Sequence, residues 1–534
     1  MLPSRIRPPR GSTESAKPAP MAVKTFNAPT AGVVSNTTLA TGKSALVLEN
    51  FWPTPQGIEP RGGYAYVARA GTDPVVTLFE HKASATYFAA SATGIYPFNA
   101  STSGGASLDP SVTGLTNGNW STYEVQNSGG NFLLCVNGAD NLRRFDGSVW
   151  LTITGTGTGA ITGVNTNTLN FVWGHRNRVF FIQNNSTSAW YLATNAVGGA
   201  ATELPLAGVF RRGGSLMMGG TWSSDSGAGL DDRCFFVTDA GEVAIFTGAN
   251  PGDVNNWSLV GVYDVGIPLG RKSMVYIGGD VLFGTRRGII PLSAVVQKDP
   301  VELAASAVTA PIQPDWNATV ERVAGGWRVG KWSTIGMVFA MPLGASTLAP
   351  EIYAANAESG AWCTITGWDA TDIQQLGDRL YFGTDAGRIC RAWVGGIDRD
   401  MPYLCRARLA FDHLSEPSAW KSASVMQAVW KVRGKIDYSM GLARDYGNQW
   451  GAPPSVASIG DPNAGMSDWD VAIWDVAPWA SDPGSYGIVS GWRSVTGMGF
   501  AFAPTVQLLC NSSAKVSCQL QRIDVGFVSG GAVT

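Results

Sequence analysis

The sequence predicts a mainly β protein: a β-propeller of six to eight blades with an additional β-rich, sandwich-like platform domain. Three observations point there. Seven short apolar runs, at 86–90, 132–136, 179–182, 234–237, 281–283, 337–340 and 380–382, start at steps of 46, 47, 55, 47, 56 and 43 residues. Most are entered through polar turns such as Gly129-Gly130-Asn131 and Gly278-Gly279-Asp280, and several leave through hairpin signals such as Asn137-Gly138 and Asp385-Ala386-Gly387. Beyond Trp393 the texture changes to full-strand alternation, at 403–411, in part at 425–432, and again at 506–510 and 516–527.

Each observation has a physical reading. Runs of three to five β-branched or aromatic residues between turn formers are strands buried on both faces. Gly, Asn and Asp suit the tips because tight hairpins need positive φ. A four-stranded unit every ~40–50 residues is the period of a propeller blade. The alternative is a β-sandwich whose spacing is fortuitous. Alternation, by contrast, marks half-buried antiparallel strands, which suits a sandwich-like platform.

In chain order, residues 1–25 read as a flexible arm rich in Pro, Arg and Ser. Arg5, Arg7, Arg10 and Lys17 are followed by no apolar run, so the arm lacks the pattern of a secretory leader. It is too polar to build a core. The expectation is docking on another subunit or on an adaptor ring. Residues 26–68 form a lead-in segment packing on the body, aromatic from Phe51 to Tyr66. Residues 69–400 hold the propeller. Within them 299–307 is the best helix candidate, with Asp299 as N-cap and Pro300 in the first turn. Residues 401–534 form the platform, interrupted by a Pro/Gly/Ser/Asp-rich loop at 447–468.

Composition narrows the function. Charged residues are 15% of the chain, against about 25% in an ordinary soluble domain. With 66 Gly and 20 Trp, this suits a β-rich subunit whose surface is covered by partners. A net charge of −2 argues against a general nucleic-acid binder. No run of eighteen apolar residues exists, so no membrane anchor is expected. The seven cysteines include no C-x-x-C pair and read as reduced core thiols.

Candidate chemistry is sparse, and the chain is expected not to be an enzyme, with no catalytic, cofactor or metal residues. The stretch from Thr37 to Gly42-Lys43-Ser44 lacks the first Gly, the strand and the helix of a phosphate-binding loop. Gly155, Gly157 and Gly159 make a Gly/Thr linker. The stretch Ser223-Ser224-Asp225-Ser226-Gly227 matches the start of the Asp-box of sialidase-like propellers, but Leu230 stands where that box needs an aromatic. His81, His175 and His413 have no metal-ligand spacing. The arginine pairs Arg143-Arg144, Arg211-Arg212 and Arg286-Arg287 are the candidate partner-contacting residues. Two of the pairs, Arg143-Arg144 and Arg286-Arg287, follow apolar runs at expected hairpin ends, where repeated blade tips gather on one rim. Ordinary solvated turns are the competing reading.

The lead-in segment carries a resemblance. Phe26-Asn27-Ala28-Pro29, then Leu46 to Thr54 with Phe51-Trp52-Pro53, then Gly57-Ile58-Glu59-Pro60-Arg61-Gly62-Gly63 resemble the N-terminal segment of tail nozzle proteins of short-tailed bacteriophages, also called tail tubular protein B. Cys405 to Phe411, with Trp469 to Asp475, is similar to the platform region of related phage structural proteins. The resemblance implies a virion tail protein assembled in the host cytoplasm as a homo-oligomeric ring of six subunits below the portal and its adaptor ring. That ring would carry tail fibres or spikes and first close, then conduct, double-stranded DNA without sequence recognition. The channel wall is then expected to be acidic or neutral, with the paired arginines facing protein partners, because each Lys/Arg–phosphate contact would slow DNA exit. The alternative is a receptor- or glycan-binding propeller, even a glycan-cleaving one, with exposed Trp120, Trp222 or Trp257 stacking on sugars.

Overall fold

The computed structural model describes residues 21–36, 39–223, 232–299, 302–343, 351–414, 416–454 and 486–532. Every one of the seven apolar runs lies in the second strand of a separate sheet, paired antiparallel on both sides: Thr86–Ala90, Gly130–Val136, Arg178–Gln183, Arg233–Thr238, Asp280–Thr285, Met337–Pro342 and Arg379–Thr384. The second strand is sandwiched between neighbouring sheets, which is why it reads as continuously apolar. Seven equivalent strands around one axis make a β-propeller. Blades 1 to 4 have four strands, and blade 5, at Met274–Ile277, Asp280–Thr285 and Gly288–Pro291, has three. Blade 6 supplies the first four strands of a larger sheet, and blade 7 has four plus the short Ala106–Ser107.

The innermost strands are Thr77–His81, Ser121–Asn127, Leu169–His175, Leu216–Trp222, Met274–Ile277, Trp327–Trp332 and Ala370–Leu376, for blades 1 to 7. Side chains of blades 1, 2 and 7 clasp the turn of the blade before. Glu124 of blade 2 accepts the N–H groups of Lys82 and Ala83 at 3.0 and 3.2 Å. Glu80 of blade 1 accepts Gly377 N–H at 2.7 Å, and Gln375 of blade 7 accepts Ser333 N–H at 2.8 Å. Crowding at the axis selects glycine. A Cβ on Gly220 would stand 2.2 Å from the Tyr276 hydroxyl of the next blade, and one on Gly174 would stand 2.0 Å from that of Tyr123.

The ring closes through the lead-in segment. Tyr64–Arg69 pairs antiparallel with Arg388–Ala392 and supplies the fourth strand of blade 7, so the boundary expected at 68/69 falls inside a propeller strand. Likewise Ala22–Asn27 pairs with Ser517–Ala532, which places the end of the expected arm in a sheet. Residues 1–20 lie outside the described residues.

The rest of the chain forms two further sheets. One continues blade 6: its outer strand Trp362–Ile365 meets Ala45–Glu49, followed by Tyr403–Leu409, Phe502–Cys510 and Asp437–Arg444. The other centres on Ser517–Ala532 and Ala419–Arg433, with Phe51–Thr54 and Gly57–Pro60 on one side. Trp430 of the second sheet contacts Tyr438 of the first, with ring centroids 5.5 Å apart. One apolar cluster runs from blade 5 (Val275, Ile289) through Trp327, Trp362 and Phe382 to Trp430 and Leu520. Platform and propeller therefore share a core.

The helix expected at 299–307 does not form as such. Leu303–Ser306 is a 3-10 turn, residues 300–301 lie outside the described residues, and the longest described helix is Gln313–Arg322. Among the described residues, no helix is long and apolar enough to cross a membrane.

Candidate functional site

The arginine pairs divide into two kinds. Arg143 and Arg144 sit within the third strand of blade 2, Arg143–Phe145, rather than at a hairpin end. Arg143 donates to the Thr152 hydroxyl, and Arg144 lies 5.3 Å from the Phe132 ring. The Asn137-Gly138 turn forms where the sequence puts it, but its loop runs on to Leu142, so the arginines fall past it.

Arg211, Arg212 and Arg287 gather at the edge of blades 4 and 5. Glu242 Oε2 accepts the N–H groups of Arg211 and Arg212 at 2.9 and 2.8 Å. Asp264 Oδ2 receives Arg212 at 3.0 Å and Arg287 at 3.2 Å. Burial works against the Asp264 carboxylate, but Arg212, the Gly266 N–H and Arg287 together hold its pKa below the usual value. A cavity of about 310 Å³ opens beside Arg211, Arg212 and Lys298. Arg286 takes its place in the blade 5 hairpin through its N–H, bonded to Ile267 O at 3.0 Å. The pairs therefore form no single rim: three arginines cluster and two are built into blade 2.

The axis holds a group that the sequence reading passed over. Arg271 and Lys272 lead into blade 5 and reach across the propeller. Arg271 donates to Asn170 O of blade 3 and, at 3.1 Å, to Asn119 O ahead of blade 2. Lys272 Nζ donates to Val76 O at 2.6 Å and Thr77 Oγ1 at 2.9 Å, both at blade 1. The buried Asp372 of blade 7 lies 3.6 Å from Lys272 and 3.1 Å from Arg328 of blade 6, and accepts Leu78 N–H at 2.8 Å. Burial pushes the Lys272 amine down to about 8, with Asp372 opposing and Arg328 and Arg271 adding to the shift. Arg271 has no carboxylate within ion-pair distance among the described residues. Lys272 and Arg328 thus share one carboxylate, and the third cation, Arg271, is not paired with it. The plug separates an open cup of about 890 Å³, lined by inner strands, from a smaller pocket of about 300 Å³ on the other face, and Arg271 lines both. The available signal was two adjacent cations, Arg271-Lys272, just ahead of a strand with no acid nearby in the chain.

The sugar-stacking tryptophans are corrected. Trp120 and Trp222 are buried, and Trp257 is half-buried, stacked on Phe246 at 5.3 Å and Phe180 at 6.3 Å. These rings fill the contacts between blades and offer no face to a sugar. His175 is buried, its ring nitrogens 2.9 Å from Thr221 Oγ1 and from Gly248 O. His81 is buried against Ser84, and His413 lies 3.2 Å from the Tyr446 hydroxyl. Lys43-Ser44 closes a turn on Thr41 and is followed by a strand, Ala45–Glu49, which no phosphate-binding loop precedes. The Asp-box match runs into 224–231, outside the described residues, as does Trp469 to Asp475. All seven cysteines are free and buried. Among the described residues no group of three metal-ligating side chains occurs.

The sheet order decides the fold. This chain is a β-propeller protein. No protein-family model matches it, and no curated protein does. Among solved structures it is similar to the β-propeller domain of Cps50 (Swd1) from Myceliophteria thermophila, at 12% identity over 63% of this chain and 99% of that one, with a TM-score of 0.38. It is also similar to Raptor from Chaetomium thermophilum, at 11% identity over 62% of this chain and 29% of that one, with a TM-score of 0.37. Similarity this remote carries nothing about function.

Proposed function

We propose that this chain is the subunit of a tail nozzle ring of a short-tailed phage, a virion structural protein that closes and then conducts the DNA exit channel. What supports the reading most is where the residues of the resemblance fall. Arg61, between the lead-in strands and the propeller, is the joint of the molecule. Its side chain donates to both Asp398 oxygens at 2.8 and 2.6 Å, to Asn50 Oδ1 at 2.8 Å, and to the carbonyls of Gly62 and Thr366 at 2.9 and 3.0 Å. All five N–H groups of the guanidinium are used. The Tyr403 and Trp368 rings lie 3.9 and 5.2 Å from it.

A rigid joint suits a part that bears load from packed DNA. The plugged axis bears on the route. Arg271 and Lys272 bar passage through one propeller, so a conduit would have to run between subunits, and that requires a ring. Head-to-tail rings close only at a fixed rotation, so each subunit presents two different complementary faces. In this reading the cluster of Arg211, Arg212 and Arg287, already holding two carboxylates, faces protein partners rather than DNA: the adaptor, or fibres or spikes. Sedimentation velocity of the purified chain tests the reading. A closed oligomer near six subunits supports it, and a monomer at every concentration counts against it.

A further inference from the structure

We propose that the pocket of about 300 Å³ over Arg271 binds a sugar acid, a hydroxylated ring bearing one carboxylate. The inference goes beyond the nozzle reading and does not rest on it.

The pocket opens where the loops of blades 2, 3 and 4 meet, on the far side of the plug from the cup. Its lining mixes polar and apolar groups: Arg271, Asn170, Asn184, Asn185, Asn117 and Asp239 supply most of the polar ones, and Leu216 and Met217 stand beside them. Arg271 spends two of its five N–H groups on main-chain carbonyls and has no carboxylate partner among the described residues. A largely buried guanidinium without a counterion is costly, and its planar fork matches a carboxylate. Lys272 and Arg328 share Asp372, so the plug as a whole carries uncompensated positive charge.

The second observation concerns hydroxyls. Asn170 is 7% exposed and its Nδ2 donates to Asn184 Oδ1 at 3.0 Å, but its Oδ1 has no hydrogen-bond partner. An unpaired buried acceptor is unfavourable, and a ligand hydroxyl would satisfy it. Asp239 is a second acceptor on the same wall, with one oxygen held by Ser215 N–H at 2.8 Å. Asp239 would repel a bare anion but accept hydroxyl hydrogens. One guanidinium for a carboxylate and two acceptors for hydroxyls describe a sugar acid better than inorganic phosphate or a neutral sugar.

The test uses the full chain and ligand-observed NMR with D-glucuronate, D-glucose and inorganic phosphate as probes. Saturable glucuronate binding by about 10 mM, with glucose and phosphate roughly tenfold weaker or worse, supports the proposal. Because Arg271 also ties blades together, Arg271→Met is paired with Asn185→Asp. Asn185 has φ of 52° and makes no side-chain hydrogen bond among the described residues. Asp tolerates that backbone, so the fold is kept while a negative charge is placed at the pocket. Glucuronate binding should fall roughly tenfold in Asn185→Asp with the melting temperature unchanged. No glucuronate binding, phosphate or glucose binding as well as glucuronate, or unaltered glucuronate affinity in Asn185→Asp would each overturn it. Failure here leaves the oligomeric state, and so the nozzle reading, untouched.

Discussion

Replacing Arg61 with Met removes the joint while keeping most of the side chain's volume. The structure sets the magnitude. Arg61 is 1% exposed and Asp398 is 7% exposed, and they share two charge-assisted hydrogen bonds. Breaking a buried pair from one side leaves an uncompensated carboxylate and costs about 3–5 kcal/mol. Lysine restores the charge but not the planar fork, and it cannot reach Asn50, Gly62, Thr366 and both Asp398 oxygens at once. Arg61→Lys should therefore lose about 1.5–3 kcal/mol. In Arg61→Met/Asp398→Asn the charge is gone from both sides, and the double variant should recover at least about 1 kcal/mol over Arg61→Met alone. Equilibrium urea unfolding followed by Trp fluorescence and far-UV circular dichroism reads all three. The first transition should move to lower urea in the order Arg61→Lys, then Arg61→Met, because blade 7 and both platform sheets meet at this residue. An Arg61→Met protein within about 1 kcal/mol of wild type would refute the reasoning.

Three further outcomes follow from the same packing. Lys272 has a native pKa of about 8 against 10.5 for the free side chain, so between these values the unfolded chain binds more protons than the native one. Stability should then gain a rising contribution from about pH 8 upward, and Lys272→Met should abolish that part of the slope in urea titrations at pH 8 to 10. Gly220→Val should destabilise by about 1–3 kcal/mol or more in thermal unfolding, because the Tyr276 hydroxyl and the Phe235 ring occupy the space its side chain would need. Deleting residues 1–20 should leave the melting temperature unchanged. Deleting 1–27 should lower it, since Ala22–Asn27 covers an edge of Ser517–Ala532 and buries Phe26.

The propeller was legible because its second strands are buried on both faces, so seven apolar runs stand out from the polar turns around them. The inner strands were harder to read. Ser121–Asn127 is only partly buried along its length, includes Tyr123, Glu124 and Gln126, and carries no apolar run. Ring closure was not legible, since Arg61 and Asp398 are 337 residues apart in the chain and nothing local announces their pairing. The helix Gln313–Arg322 was missed because only Trp316, Thr319 and Val320 are buried, a stripe too narrow to show a helical period. Position after an apolar run marks two of the arginine pairs as hairpin ends, but acceptors elsewhere in the chain decide their roles: Glu242 and Asp264 gather three of the arginines, and Thr152 and Phe132 hold two. Arg271 was legible only as one of two adjacent cations ahead of a strand, because its partners are main-chain carbonyls, which any sequence supplies.

Electron microscopy of the purified chain tests the central claim most directly. The account predicts a closed ring of six subunits with an open central channel, in which every propeller lies beside the channel with its own axis plugged. Isolated monomers, or an assembly with no central channel, would contradict it.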